Sequence, residues 1–317
     1  MKTTQKLKIG FIANAIEHME LNPESPSFDS TWQLIEFGKK KYDVRYILDT
    51  SIQSESGKTT GLSYEIAHLK AKEKIINEKR EDLSSFDILI IRRDPPFNQA
   101  YLAMVQILST IEDKVTIINR PSALTKYNEK INVILFPEYA PKSLVTCSVS
   151  EIKHFIHGQK NGVVLKGLDN KGGSNIFMLK PNDVNTNEII HQITNEGTSY
   201  IMCQELLNIE KTGDKRITII NGKVMGGFLR RPTKGDFRGN IGKGAAVVPA
   251  QATAKEEVMA KKIGEFFLNE GISIVGIDVI DGKVTEINIT SPLMPKRFIP
   301  KIETAFYEYI EQLCQRS

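Results

Sequence analysis

The sequence predicts a mixed α/β and α+β fold, with an N-terminal doubly wound parallel sheet followed by α+β lobes. Three observations point that way. Short apolar strands alternate with helix-period segments over about the first 120 residues, the pattern of a parallel sheet with crossover helices. Further along, the two-residue turn signals Asn221-Gly222 and Asp281-Gly282 belong to antiparallel hairpins. At 317 residues the chain also exceeds what one hydrophobic core usually serves, so two or three lobes are expected.

Lys8 to Ala13 is the first strand. A polar, Pro-containing loop follows from Glu20 to Ser27, and Asp29 or Ser30 caps a helix to about Lys41, with Trp32, Ile35 and Phe37 near its apolar side. Val44 to Leu48, Phe86 to Ile91 and Val115 to Ile118 are further strands, and Gln99 to Glu112 has helical spacing at Leu102, Val105, Gln106 and Ile107. The first strand lacks the Gly-x-Gly-x-x-Gly fingerprint, which argues against a dinucleotide. After Ile91 comes Arg92-Arg93-Asp94-Pro95-Pro96-Phe97. Ligands of open sheets gather beyond the carboxyl ends of strands, so Arg92 is placed to meet a carboxylate; a Pro-stiffened turn with solvated arginines is the alternative.

Pro121 leads into a helix carrying Asn128-Glu129-Lys130, and Ser148 with Glu151 makes a capping box for a helix to about His157. Gly162 to Leu168 is a strand with Lys166 inside an apolar run, where an ammonium wants an anion or a carboxylate. In the loop Asp169 to Ser174, Gly172 and Gly173 can cradle phosphate or simply turn a hairpin into Asn175 to Leu179. Asp183 to Glu196 is a helix, and Tyr200 to Leu206 a strand ending in Gln204-Glu205-Leu206. Gly213-Asp214-Lys215-Arg216 leads into the strand Ile217 to Ile220, and Lys223 to Leu229 returns to Arg230-Arg231. Gly235 to Gly244 contains Arg238-Gly239-Asn240 and nothing apolar pins it before Val247, as in an active-site lid or a disordered surface loop. Thr253 to Glu270 is an amphipathic helix stopped by Gly271, and Lys301 to Gln315 is the last helix.

The stretch Ser273 to Ser291 concentrates the chemistry. It reads as one hairpin turned at Asp281-Gly282, apolar and β-branched except at Asp278, with Glu286 and Asn288 two residues apart and so on one face. A plain two-residue loop pairs Asp278 with Thr285 and turns it away from Glu286. A three-residue loop or a bulge sets Asp278 across from Glu286 with Asn288 beside them, and this second arrangement is the one expected. Two carboxylates and an amide oxygen are hard ligands suited to Mg²⁺; a hairpin with salt-bridged edge carboxylates is the other reading.

Composition is that of a soluble globular protein, with 40% hydrophobic and 25% charged residues and a net charge of +4. So small an excess gives no support to a nucleic-acid partner. Cys147, Cys203 and Cys314 form no disulfide or metal framework, no His-Glu-x-x-His pattern supports zinc, and no run has the length of a membrane span. A cytoplasmic protein with no membrane partner is expected.

Taken in order, Arg92 to Phe97, Asn128-Glu129-Lys130, Gly213 to Arg216, Arg238-Gly239-Asn240 and Thr285 to Pro292 (Thr-Glu-Ile-Asn-Ile-Thr-Ser-Pro) resemble the bacterial glutathione synthetases of the ATP-grasp superfamily over most of the chain. The resemblance implies a pre-ATP-grasp substrate domain at 1–124, a central ATP-grasp lid lobe at 125–203, and a C-terminal ATP-grasp lobe with the metal site and mobile loop at 204–317. It implies an ATP-dependent ligase that joins γ-L-glutamyl-L-cysteine to glycine through an acyl phosphate, uses Mg²⁺ with Mn²⁺ as a substitute, and forms a homo-oligomer, dimer or tetramer. By motif position, Lys130 and Lys166 hold ATP phosphates under a loop containing Gly172 and Gly173. Gln204, Glu205 and Leu206 form the hinge against adenine and ribose, with Asp214, Arg216 and Arg230 also at the nucleotide. Asp278, Glu286 and Asn288 match the Mg²⁺ ligands. Arg216, Arg230 and Arg238 are the implied catalytic cations, and Arg92, Arg238, Asn240 and Lys296 the implied substrate contacts. The chain departs from the family at Gly167, at Asn170 and Lys171, at Ala245 and Ala246, and at Lys296, which replaces an arginine. An ATP-grasp ligase with a different donor or acceptor, or a non-catalytic ATP-binding regulator, is the alternative.

Overall fold

The computed structural model describes residues 6–22, 24–25, 28–66, 75–169, 175–233, 239 and 244–315. Mostly apolar runs of three to six residues form the parallel strands β1 (Lys8–Ala13), β2 (Asp43–Leu48), β6 (Ile88–Ile91) and β7 (Thr116–Ile118), paired in the order β2-β1-β6-β7. Crossover helices join β1 to β2 and β6 to β7. In α1 (Ser30–Gly38) the Asp29 carboxylate accepts the amides of Thr31 and Trp32, and in α2 (Gln99–Ser109) Asn98 caps through Tyr101 N.

The sheet is not wholly parallel. The stretch 53–82, unread in the sequence, adds β3 (Gln53–Glu55), β4 (Lys58–Ile66) and β5 (Ile75–Asp82) as an antiparallel extension on β2. The inward positions of β4 include Thr59, Gly61 and Ser63, all buried, so period-two burial exists there without an apolar signature.

A second, antiparallel sheet has the order β10-β9-β11-β8, built from β8 (Ser143–Thr146), β9 (Val163–Gly167), β10 (Ile176–Leu179) and β11 (Ile201–Glu205). Helices α4 (Val149–His157) and α5 (Thr186–Ile193) close a separate core with it, formed by Ile152, Ile156, Val163, Leu165, Leu179, Ile190, Ile201 and Cys203. Ser148 caps α4 by accepting the Glu151 amide, which is one half of the expected capping box. The helix after Pro121, α3 (Pro121–Lys126), ends before Asn128-Glu129-Lys130; that motif lies instead in a turn, where Asn128 Oδ1 accepts the amides of Lys130 and Ile131.

The short α6 (Ile209–Thr212) leads into the third sheet, also antiparallel, with the order β14-β13-β12-β15-β16. Its strands are β12 (Asp214–Ile220), β13 (Lys223–Arg231), β14 (Ala246–Ala250), β15 (Ile274–Ile280) and β16 (Lys283–Asn288). Helix α7 (Ala254–Asn269) starts in a complete Thr253/Glu256 capping box and is followed by Gly271 at φ +86°. The first and third sheets share cores. Leu89, Tyr101 and Leu124 pack in one cluster with Ile217, Ile263 and Phe267, while Phe11 and Ile90 join Phe228, Ile274 and Phe306 of α8 (Ile302–Cys314) in another.

Buried Asn119 ties these two sheets together. Its Nδ2 donates to the carbonyls of Ile274 (2.9 Å) and Ile289 (2.7 Å), and its Oδ1 accepts the amides of Ser273 and Ile274, both at 2.9 Å. Both N–H donors and both oxygen lone pairs of the amide are thereby used.

Candidate active site

The β15–β16 hairpin has both features that its sequence set against each other. Asp281 (φ +51°) and Gly282 (φ +72°) make a two-residue turn that pairs Ile280 with Lys283, yet Asp278 lies opposite Glu286. The register shifts between Asp278 and Val279, so Thr285 is the extra residue of a bulge, and its hydroxyl donates to the Asp278 carbonyl at 3.3 Å. Asn288, paired with Gly276, completes the row, its Nδ2 donating to Asp278 Oδ2 at 3.2 Å.

Neighbouring strands add charge to this face. Arg216 on β12 lies opposite Asp278 and holds it in a fork, Nε to Oδ1 at 2.5 Å and Nη2 to Oδ2 at 3.0 Å. Gly276 makes that possible, because a Cβ there would lie 3.1 Å from Arg216 Cδ and 2.8 Å from Pro292 Cβ. Arg230 on β13 bridges two acids, its Nη2 2.8 Å from Asp278 Oδ1 and 2.7 Å from Asp214 Oδ2. Burial pushes the Asp278 carboxyl up, but the two guanidiniums outweigh it and hold it far below the usual carboxylate range. Asp214 has Arg230 as its ion-pair partner, and there burial wins and raises the carboxyl.

Two lysines approach from the other side. Lys166 of β9 is buried and donates to Gln204 Oε1 (2.8 Å) and the Thr285 carbonyl (3.4 Å); burial lowers its pKa, opposed by the charge of Glu286. Lys130 Nζ lies 3.7 Å from Glu286 Oε1 and 3.5 Å from the Leu168 carbonyl. Next to Gln204, Glu205 Oε2 stands 3.7 Å from Lys283 Nζ, and the Leu206 amide donates to the Gly162 carbonyl at 3.1 Å. The second and third sheets, with the turn at Lys130, thus bring together Lys130, Lys166, Gln204, Asp214, Arg216, Arg230, Asp278, Glu286 and Asn288.

Other expected residues lie elsewhere. Arg92, directly after β6, is buried against the start of α1, donating from Nε to Thr31 Oγ1 (3.2 Å) and from Nη2 to the Pro292 carbonyl (3.1 Å); Nη1 is buried with no partner among the described residues. Lys296 pairs with Glu303 at 2.6 Å in a cleft of about 850 Å³ between α1 and the start of α8. Gly172, Gly173, Arg238 and Asn240 lie outside the described residues, as does most of the stretch Gly235 to Gly244. Gly239 is described, and it packs so tightly on Asp214 that a Cβ would lie 2.6 Å from Asp214 Cβ and 2.7 Å from Oδ2.

Asp278, Glu286 and Asn288 form a hard-oxygen donor set. Asn288 spends its amide nitrogen on Asp278 and the Gly276 carbonyl, which leaves its carbonyl oxygen uncommitted among the described residues. No group of three His, Cys, Asp or Glu that could hold a metal occurs among the described residues; the three side chains offer oxygen donors alone, the chemistry that suits Mg²⁺ rather than a soft transition metal.

Residues 7–125 match the family model for the N-terminal domain of prokaryotic glutathione synthetase, and residues 129–301 match the model for its ATP-grasp domain. The chain belongs to the prokaryotic glutathione synthetase family. Similar proteins include the glutathione synthetase of Vibrio parahaemolyticus, 32% identical over 95% of this chain and 94% of that one. That of Wigglesworthia glossinidia brevipalpis is 35% identical over 90% of each. The solved D-cycloserine synthetase DcsG shares the fold at a TM-score of 0.71 and 10% identity, covering 97% of this chain and 99% of that one. D-alanyl-alanine synthetase A from Vibrio cholerae does so at 0.59 and 12%, covering 98% of each. For a member of the glutathione synthetase family, the sequence reading passed over three residues around the hairpin. The bulged Thr285 bonds within its own hairpin, whereas the staple Asn119 and the side chain of Glu129 act through contacts distant in sequence; the motifs Thr285 to Pro292 and Asn128-Glu129-Lys130 contain two of the three without giving them these roles.

Proposed function

We propose that the protein joins γ-L-glutamyl-L-cysteine to glycine at the expense of ATP, giving glutathione, ADP and phosphate, as the name of its family and of its curated relatives indicates. The observation that carries the reading is the facing pair Asp278–Glu286 with Asn288, ringed by Arg216, Arg230, Lys130 and Lys166. In this reading Asp278, Glu286 and Asn288 hold Mg²⁺, with Mn²⁺ a substitute, and the metal supplies charge neutralisation for the transferred phosphoryl group.

The chain's own groups do the rest. Lys130 and Lys166 bind ATP phosphates, Gln204, Glu205 and Leu206 border the base and ribose, and Arg216, Arg230 and Arg238 neutralise the charge that gathers as a substrate carboxylate attacks the γ-phosphate. Asp214 orients Arg230, and Gly172 and Gly173 cover the phosphates. The buried, incompletely bonded guanidinium of Arg92 receives a donor carboxylate. Asn240 belongs to the segment that shields the acyl phosphate from water while the glycine amine attacks it. A cytoplasmic dimer or tetramer completes the proposal; no helix among the described residues is long and apolar enough to cross a membrane.

Lys296, a departure from the family arginine, is committed to Glu303. That favours, as a second reading, the same activation applied to a different donor or acceptor. Phosphate release from Mg-ATP, with γ-glutamylcysteine fixed and amines varied, separates the two. Release that requires both γ-glutamylcysteine and glycine supports the first reading; ATP binding without release under glycine overturns it.

A further inference from the structure

The side chain of Glu129 has no part in the chemistry above, yet it holds the strand that carries it. Its Oε1 accepts three hydrogen bonds from one short stretch, the amides of Ile289 (2.9 Å) and Thr290 (3.0 Å) and the Thr290 hydroxyl (2.7 Å). Its backbone carbonyl accepts the Ile287 amide at 2.9 Å. These donors are not arbitrary. β16 is the edge strand of the third sheet, so the amides of Ile287 and Ile289, two residues apart, point outward where no further strand can meet them. Glu129 meets both, one with its main chain and one with its side chain, taking the place of a neighbouring strand on either side of Asn288.

We propose that Glu129 is a positioning residue: it fixes Glu286 and Asn288 relative to Lys130, and so sets how much the metal strengthens the grip on ATP. The proposal rests on the metal and nucleotide reading given above. Lys130 itself is held separately, since Asn128 Oδ1 accepts the amides of Lys130 (3.0 Å) and Ile131 (3.2 Å). Removing the Glu129 carboxylate therefore takes three bonds from Ile289 and Thr290 just beyond β16 and loosens the strand end, which keeps the Ile287 amide bond and the bond from Asn119 to the Ile289 carbonyl, without releasing the lysine segment. With Lys130 Nζ and Glu286 Oε1 only 3.7 Å apart, a small displacement of that strand end changes which of them a phosphate or a cation meets.

The test is the dissociation constant of ATP, measured by titration calorimetry in Mg²⁺ and in EDTA without donor substrate, for the wild type, Glu129→Ala, Glu129→Gln and Glu286→Gln. The expected result is that Glu129→Ala loses about 10- to 100-fold of the affinity gained with Mg²⁺, as outer-shell substitutions do, while binding in EDTA is kept. Glu129→Gln retains an oxygen for the same three donors and restores most of the gain. An unchanged gain in Glu129→Ala, or an equal loss with and without Mg²⁺, overturns the role. If Glu129→Ala does not fold, Thr290→Val, which removes one of the three bonds, decides: a reduced gain supports the role and an unchanged one overturns it. A wild type that gains nothing from Mg²⁺ overturns this role and the metal reading together. The expected loss in Glu286→Gln beside an unchanged Glu129→Ala overturns this role alone.

Discussion

Asp278 and Glu286 stand opposite each other on adjacent strands because Thr285 is accommodated as an extra residue between them and a two-residue turn. The two carboxylates nevertheless live in different surroundings. Asp278 is buried and forked by Arg216, whereas the Glu286 side chain is 25% exposed and has Lys130 as its ion-pair partner. Substituting Glu286 by Gln should therefore leave the fold intact while removing a charge from the proposed metal site. Turnover in the phosphate-release assay should fall by at least about a hundredfold with the unfolding midpoint unchanged, and excess Mg²⁺ should recover part of it. Full activity in Glu286→Gln would remove Glu286 from the metal set.

Asp278→Asn should behave differently. It strips the anion from between two guanidiniums, each of which lies almost wholly out of solvent. Breaking a buried ionic cluster on one side leaves uncompensated charge and costs about 3–5 kcal/mol, so urea unfolding should show a large loss of stability together with inactivity. A loss below about 1 kcal/mol would mean that Arg216 and Arg230 find other partners, and that the cluster matters little to the fold.

Lys130→Ala tests the nucleotide side of the reading. An ammonium that donates to phosphate oxygens contributes about 1.5–3 kcal/mol, or roughly 10- to 100-fold in affinity, so ATP should bind correspondingly more weakly by calorimetry. Unchanged ATP affinity would assign Lys130 to holding Glu286 alone.

How far the sequence could be read follows from where each signal lies along the chain. The apolar strands Lys8–Ala13 and Ile88–Ile91, and the capped helices after Asp29 and Thr253, are local patterns, and the structure has them. The Asp278–Glu286 pairing was legible because carboxylates inside a β-branched hairpin restrict the register. What stayed hidden depends on contacts across the chain. From Thr59 to Ser63, β4 buries Thr59, Gly61 and Ser63 in place of aliphatic side chains, and only its last residue, Ile66, is a buried aliphatic one, so its alternation carried no hydrophobic signal. Asn119 bonds to residues more than 150 positions away, and Glu129 to residues 160 and 161 positions away. Lys296 shows the converse, since its motif position pointed to substrate while Glu303, one helix further on, claims its charge.

The hidden extension of the first sheet yields a pH dependence of its own. Glu81 on β5 is largely buried, meets Nζ of Lys8, the first residue of β1, at 2.8 Å and Lys79 Nζ at 3.3 Å, and accepts the Ser63 hydroxyl. Burial alone would raise its carboxyl, but Lys8, Ser63 and Lys79 prevail and bring it from 4.5 to about 2. A carboxylate whose pKa is lower folded than unfolded stabilises the fold in its ionised form. Its contribution is complete above the unfolded value of 4.5 and is lost as pH falls from there toward 2. Glu81→Gln should cost about 2 kcal/mol at neutral pH, and the gap from the wild type should close on acidification. Urea midpoints for both proteins at about pH 6 and about pH 3 measure it. A gap of the same size at the two values would show that the ion pair with Lys8 contributes nothing through its charge, leaving the hydrogen bond from Ser63 as the tie between β4 and the side chain of Glu81.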